Sequence, residues 1–314
     1  MSAESEGENH SAPRLIALDW GTSALRAYLF GDDGAVLESR AESWGIMHLP
    51  DGGFAAAFDD VTSDWRDRSP GVPVLASGMI GSAQGWSEAP YCPSPAGADE
   101  LARALVSAGN GRLLIVPGVV QQGDSPNVMR GEETQIIGAL ATRPDLADDA
   151  LFVLPGTHSK WVHVRGARID QFTTFLTGEL FAVLSTGSIL GRLARDAGRP
   201  PSPEVAADAF TRGVLAARAA PLGLAPLLFS ARSMVLTGRL AAEGSLEYLS
   251  GLLIGDEVRC GLAGGALPRV LVGEPALCAR YLAAFSLFGI DSLPAIADAA
   301  PAGLWEIAQH ASLK

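Results

Sequence analysis

The chain has 314 residues, 48% of them apolar and 18% charged, with 36 Gly and 20 Pro; this fits a turn-rich globular protein of two modest domains and excludes disordered and fibrous classes. Its formal charge of −12 argues against a nucleic-acid partner, because neutralising phosphates needs a basic face, but leaves a small anion open to a local Arg or Lys cluster. Cys92, Cys260 and Cys278 are odd in number and lack metal-like spacing, which fits a reduced cytoplasmic compartment with the thiols as small core residues.

Residues 1–13 begin acidic and polar, without the basic start and apolar stretch of a signal peptide, and read as a disordered tail. From Leu15 to Leu18 an apolar run meets the turn Asp19-Trp20-Gly21-Thr22-Ser23. A second run, Leu25 to Phe30, reaches the turn Gly31-Asp32-Asp33-Gly34, so two successive hairpins are predicted. A strand at Val72 to Ala76 leads into a loop holding Gly78, Gly81 and Ser82, with Trp86 either an apolar wall or a core residue. Glu132 and Glu133 then open a helix through Ile136, Ile137 and Leu140.

Leu151 to Leu154 begins the pattern again. This run meets the turn Pro155-Gly156-Thr157-His158-Ser159, a strand from Lys160 to Val164 follows, and the chain turns at Arg165-Gly166. Strand–turn–strand units are common singly, but two in the same local context suggest two related domains facing each other across a cleft. Gly21 and Gly156 would let the backbone approach an anion closely, with the amides of Thr22, Ser23, Thr157 and His158 as donors. Asp19, at a strand end, is placed to hold Mg²⁺ directly or through water. The apolar stretch from Gly213 to Phe229 contains Arg218, Pro221 and Pro226, so it does not read as a membrane span. Last come a strand from Arg269 to Val272, the turn Gly273-Glu274-Pro275, and a helix with Leu277, Tyr281, Phe285 and Phe288 on one face, stopped by Gly289. The start of that helix reads either as an ordinary strand–helix junction or as a place for a nucleotide.

Two turns of this kind, an intervening helix and a late strand–helix turn resemble, in that order, the actin-like ATPase and sugar kinase superfamily. Asn127-Val128-Met129-Arg130-Gly131-Glu132-Glu133-Thr134-Gln135 and Pro155-Gly156-Thr157-His158-Ser159-Lys160-Trp161-Val162 resemble more narrowly the 2-dehydro-3-deoxygalactonokinase family. So do Asp19-Trp20-Gly21-Thr22, Gly78-Met79-Ile80-Gly81-Ser82 with Gly85-Trp86, and Ser250 to Gly255. The resemblance implies an α/β fold of two actin-like (ribonuclease H-like) domains, each a mixed five-stranded sheet with flanking helices around a central cleft. The domains are expected at 14–130 and 131–295, with residues 296–314 forming a final helix (Leu304 to Ser312) that returns to the first.

The resemblance further implies an ATP-dependent kinase acting on the 6-hydroxyl of 2-dehydro-3-deoxygalactonate. ATP would be held by Asp19, Gly21, Thr22, Ser23, Gly156, Thr157, His158, Gly273 and Glu274. Mg²⁺ would lean on Asp19, because Pro155 stands where the wider superfamily often has a second Asp. The base is expected at Glu133, with Glu132 as the close alternative; the competing reading is that both only favour the helix terminus. Arg130 and Lys160 are the expected partners of the substrate carboxylate, with Gly78, Gly81, Ser82 and Trp86 around the sugar acid. Arg26 reads as an exposed strand residue or a phosphate contact, and His158 as a phosphate contact or a turn filler. A second copy of the chain is the one macromolecular partner left open, with no nucleic acid and no membrane. Two alternatives stand: a kinase for another sugar acid such as 2-dehydro-3-deoxygluconate, and a nucleotide-binding sugar sensor without kinase activity. Such a sensor commonly adds a DNA-binding segment, for which the acidic tail is too short.

Overall fold

The predicted apolar runs at Leu15 and Leu25 form strands in the computed structural model, which describes residues 12–266 and 268–313. Residues 1–11, most of the expected tail, lie outside the described residues. The chain divides into two compact units. The first takes the described residues up to 148, with 164–171 and those from 298 onward, and the second takes 149–163 and 172–297. The main division thus falls at 148/149, and the helix that begins at Glu132 groups with the first unit, although the sequence placed it with the second domain.

The first unit opens with β1 (Leu15–Trp20), β2 (Leu25–Phe30) and β3 (Val36–Glu42), followed by α1 (Gly53–Arg68) and β4 (Val74–Ser77). Next come β5 (Cys92–Pro93), α2 (Ala98–Arg103), β6 (Val106–Ala108), β7 (Leu113–Ile115), β8 (Val119–Gln121), β9 (Asn127–Met129) and α3 (Glu132–Thr142). Its main sheet has the order β3-β2-β1-β4-β7-β6; β1 is antiparallel to β2 and parallel to β4, and β5, β8 and β9 form a small separate sheet. Central β1 is covered on both faces, so it reads as a continuous apolar run, whereas edge strand β3 carries Glu38, Arg40 and Glu42. Ile16, Leu18, Leu25, Phe58 and Trp65 fill the core between sheet and α1.

The second unit holds β10 (Asp149–Leu154), β11 (Ser159–Arg165) and β12 (Arg168–Phe175), although the 164–171 hairpin tip groups with the first unit. After these run α4 (Thr177–Gly187), α5 (Arg192–Ala197), α6 (Pro203–Arg218), α7 (Ser230–Leu236), α8 (Ser245–Leu262), β13 (Pro268–Val272), α9 (Pro275–Ser286) and β14 (Ala295–Ile296). Helix α10 (Ala300–His310) returns to the first unit. The sheet order is β12-β11-β10-β13-β14, with β13 parallel to both β10 and β14. The connections from β10 to β11 and β11 to β12 are too short for anything but hairpins.

Both sheets therefore share one plan: two hairpin-linked strands run outward from a first strand, and parallel strands add on its other side. This is the duplicated α/β fold that the resemblance implies, with one difference. The first sheet has six strands, because short β6 adds antiparallel to β7 at its edge. Close helix crossings hold the helical layers. On α6 and α8, a methyl group at Gly213 would lie 2.2 Å from the Tyr248 carbonyl oxygen, and one at Gly251 2.2 Å from that of Phe210. The Ser250–Gly255 motif thus serves packing. Among the described residues, no helix is long and apolar enough to cross a membrane.

Candidate active site

Asp19 lies near the end of β1, opposite Arg26 of β2 and in register with Ser77 of β4. Its side chain is 20% exposed, and its carboxylate stands 3.6 Å from the Arg26 guanidinium. Burial pushes the Asp19 carboxyl above the usual range and Arg26 pulls it back, while nearby Asp298 adds to the rise. Arg26 is thus an ion-pair partner of Asp19 rather than an idle strand residue. In the turn beyond, the Gly21 amide donates to Ala24 at 2.9 Å, whereas Thr22 and Ser23 are exposed and no hydrogen bond among the described residues consumes their amides.

The Gly78 loop packs directly behind this turn. Gly78 has φ +94°, and a methyl group there would lie 2.7 Å from the Trp20 carbonyl oxygen, so only glycine fits. A methyl group on Gly131 would in turn lie 3.5 Å from Gly78 Cα, and one on Gly81 2.9 Å from Arg130 Nη1. The first turn, the Gly78–Ser82 loop and the start of α3 therefore converge within the first unit.

Arg130 donates from Nη2 to the Ala89 carbonyl oxygen at 2.7 Å and stacks 4.4 Å from the Tyr91 ring centroid. Its Nε and Nη1 are buried without a partner, as are the hydroxyls of Ser77 and Ser82. Buried polar groups are normally satisfied, so four such atoms on neighbouring segments mark a place prepared for a polar ligand. Glu133 is fully buried in the first turn of α3. Its Oε2 accepts the Gly131 amide at 2.7 Å and its Oε1 accepts Thr134 Oγ1 at 3.0 Å. Burial, with Glu132 beside it, lifts its pKa to about 8. Glu132 accepts the Arg130 amide at 2.9 Å. Both carboxylates thus satisfy amides at the helix start, but only Glu133 is held dry and basic. Trp86 packs against Trp20, Phe54 and Phe58, so the core reading of this residue prevails over the wall reading.

In the second unit, Gly156 has open space beside its Cα, and Thr157 and His158 are exposed. The turn is tied to the start of α4: the Glu179 amide donates to the Thr157 carbonyl oxygen at 3.0 Å, and His158 Nε2 pairs with the Glu179 carboxylate. Gly273 backs onto the same turn, since a methyl group there would lie 3.6 Å from the Pro155 carbonyl oxygen. Two expected contacts are already engaged. The Glu274 carboxylate caps α9, accepting the amides of Ala276 and Leu277 at 3.0 and 2.8 Å, which also holds its pKa low. Lys160 is 4% exposed and donates to Thr174 Oγ1 at 2.9 Å, joining β11 to β12 rather than presenting a free cation. Among the described residues no cluster of three or more His, Cys, Asp or Glu is arranged for a metal ion.

The profile of the 2-keto-3-deoxy-galactonokinase family matches residues 19–307. The chain belongs to that family. It is 42% identical to the Escherichia coli (strain K12) 2-dehydro-3-deoxygalactonokinase over 94% of this chain and 97% of that one. A Rhizobium meliloti (strain 1021) relative, provisionally named for the same activity, is 38% identical over 92% and 94% of the two chains. A crystal structure of a candidate 2-dehydro-3-deoxygalactonokinase from Sinorhizobium meliloti superposes with a TM-score of 0.84 at 36% identity, covering 94% and 98%.

Three residues of this family member escaped the sequence reading. Gly45 supports the first turn from behind, since a methyl group there would lie 2.2 Å from the Thr22 carbonyl oxygen; nothing in the surrounding sequence signals this. Glu257 is 2% exposed and accepts from Trp161 Nε1 at 2.9 Å, from Tyr281 Oη at 2.6 Å and from Thr177 Oγ1. A Glu at a buried position of α8, directly after Asp256, was the available sign. Tyr281 was read only as part of an apolar helix face.

Proposed function

We propose that this chain transfers the γ-phosphoryl group of ATP to the 6-hydroxyl of 2-dehydro-3-deoxy-D-galactonate, with the acceptor site on the first unit. Family membership supports the reaction class. The observation that carries the site is the convergence of a buried carboxylate lifted to about 8 with a guanidinium that has two buried nitrogens lacking acceptors. Arg130 binds the substrate carboxylate through Nε and Nη1, the pair of donors suited to bidentate contact. The hydroxyls of Ser77 and Ser82 take sugar oxygens. Each Glu133 oxygen keeps a lone pair beyond its Gly131 and Thr134 bonds, and that lone pair accepts the proton of the attacking hydroxyl.

In the first unit the free amides of Thr22 and Ser23 are donors suited to phosphate oxygens, and in the second unit the Gly156–His158 turn, with Gly273 beside it, offers donors of the same kind. Glu274 acts through its helix cap rather than on the nucleotide. Asp19, one partly exposed carboxylate with Asp298 adding negative potential nearby, fits a Mg²⁺ ion that arrives with ATP better than a resident metal. Bound there, the ion would neutralise charge on the transferring phosphoryl group. The free thiols of Cys92, Cys260 and Cys278 support a reducing, cytoplasmic setting.

The direct test incubates purified protein with ATP, Mg²⁺ and a panel of 2-dehydro-3-deoxy sugar acids, following ADP release. Selective turnover of the galactonate epimer is expected. Preference for the gluconate epimer would reassign the substrate, and ATP binding without turnover of any acid would favour a sensor.

A further inference from the structure

Three donors converge on Glu257 in the second unit, and their directions can be followed outward to the Pro155–His158 turn. Burial and the nearby Glu257 push the Tyr281 hydroxyl pKa up, so Tyr281 keeps its proton and donates it to Glu257 Oε2, 2.6 Å away. Tyr281 then offers Ser159 only a lone pair. The Ser159 proton then has two acceptors, Tyr281 at 2.9 Å and the Gly156 carbonyl oxygen at 3.5 Å, and the shorter contact takes it. Ser159 Oγ is left accepting, and the Gly156 amide stands 3.4 Å from it as donor. On the other side of the turn, a methyl group on Gly178 would lie 2.5 Å from the Gly156 carbonyl oxygen, so α4 leaves that peptide little room to rotate.

We propose that this one-way chain, Gly156 to Ser159 to Tyr281 to Glu257, holds the Gly156 amide inward and so leaves the amides of Thr157 and His158 as the donors for nucleotide phosphate. Ser159, Tyr281 and Glu257 are then positioning residues for nucleotide binding, acting through the turn. The inference rests on the reading of the turn as a phosphate-binding element. Losing one hydroxyl leaves the Gly156 amide held only by the packing of α4 at Gly178, a weaker restraint on its direction. Because the two hydroxyls act in series, removing the second adds little.

The test measures the dissociation constant for ADP by calorimetry on full-length wild type, Tyr281→Phe, Ser159→Ala and the double variant, alongside KM for ATP and for the sugar acid. Each single variant is expected to weaken ADP about tenfold, the scale of one hydrogen bond. The double variant should match the singles within about twofold, and KM for the sugar acid should hold. Unchanged ADP affinity in either single variant, even with a lowered Tm, would overturn the proposal. So would losses that multiply in the double variant. Should Tyr281→Phe fold poorly, Ser159→Ala and Glu257→Gln supply the same comparison. A wild type that binds ADP but phosphorylates no sugar acid would count against the proposed reaction while leaving this inference intact.

Discussion

Gly138 of α3 and Gly303 of α10 meet backbone to backbone. A methyl group on Gly138 would lie 1.9 Å from the Ala299 carbonyl oxygen, and one on Gly303 1.9 Å from that of Thr134. Neither clash can be relieved by a side-chain rotation, because the obstructing atoms belong to the backbone. Gly138→Ala should therefore destabilise the protein by about 3 kcal/mol, the upper end of ordinary overpacking. Denaturant unfolding followed by circular dichroism checks this, and a loss below about 1 kcal/mol would mean that the helices separate easily. Thr134, whose carbonyl faces Gly303, follows Glu133, so a shift of α3 should lower turnover as well.

Glu133→Gln is expected to reduce turnover by ~10²–10⁴-fold, the range of general-base contributions, while ADP still binds. In wild type, kcat should rise with pH toward about 8, because the base must lose its proton. That limb should be absent in the variant. Equal profiles would assign the pair Glu132 and Glu133 to the helix terminus alone.

The same carboxyl makes a prediction about stability. Its folded pKa of about 8 lies above its ordinary value of 4.5, so between the two the folded state binds the proton more tightly. Stability therefore falls as pH rises through this window, by up to a few kcal/mol. Glu133→Gln removes this dependence, so the variant's Tm should gain on wild type from pH 6 to pH 9. A constant difference across that range would contradict the raised pKa.

Arg130→Ala should raise KM for the sugar acid strongly, since truncating one side of a desolvated charged pair costs ~2–5 kcal/mol. KM for ATP should change much less. Lys160→Ala is the comparison: with its amine on Thr174, it should lower Tm and leave the sugar-acid KM near wild type. A sugar-acid defect in Lys160→Ala alone would move the carboxylate site to the second unit.

Asp19→Asn should keep the fold and lower kcat by ~10² or more, the scale of a lost charge-stabilising contact. Turnover near wild type at saturating Mg²⁺ would remove Asp19 from the metal-organising role.

Much of this arrangement was readable because each turn lies between continuous apolar runs, which buried strands require on both faces. That is why Asp19, Gly21 and Gly156 fall where the sequence set them. The α9 helix was equally plain from its spacing, its Pro275 start and Gly289, which has φ +82°. Interactions between distant residues were not readable. Glu257 gathers Trp161, Thr177 and Tyr281, separated from it by 96, 80 and 24 positions, and no local pattern joins them. Lys160 and Glu274 look like free charges until the partners on β12 and α9 are seen. Trp86 was balanced between two readings because an indole serves a core and a pocket wall equally well. Edge strand β6, three residues long, is too short to leave a period.

Helix α10 gives the chain an unusual order of completion. Synthesis runs from the amino end, so the half bearing Asp19 and Glu133 emerges first. Its outer helix is encoded in the last stretch, after the whole second unit has been made. Until that stretch leaves the ribosome, Gly138 lacks its contacts with Ala299 and Gly303. The half that is translated first is thus finished last, and a change in α10 bears on the half that carries Asp19 rather than on α9, its neighbour in sequence.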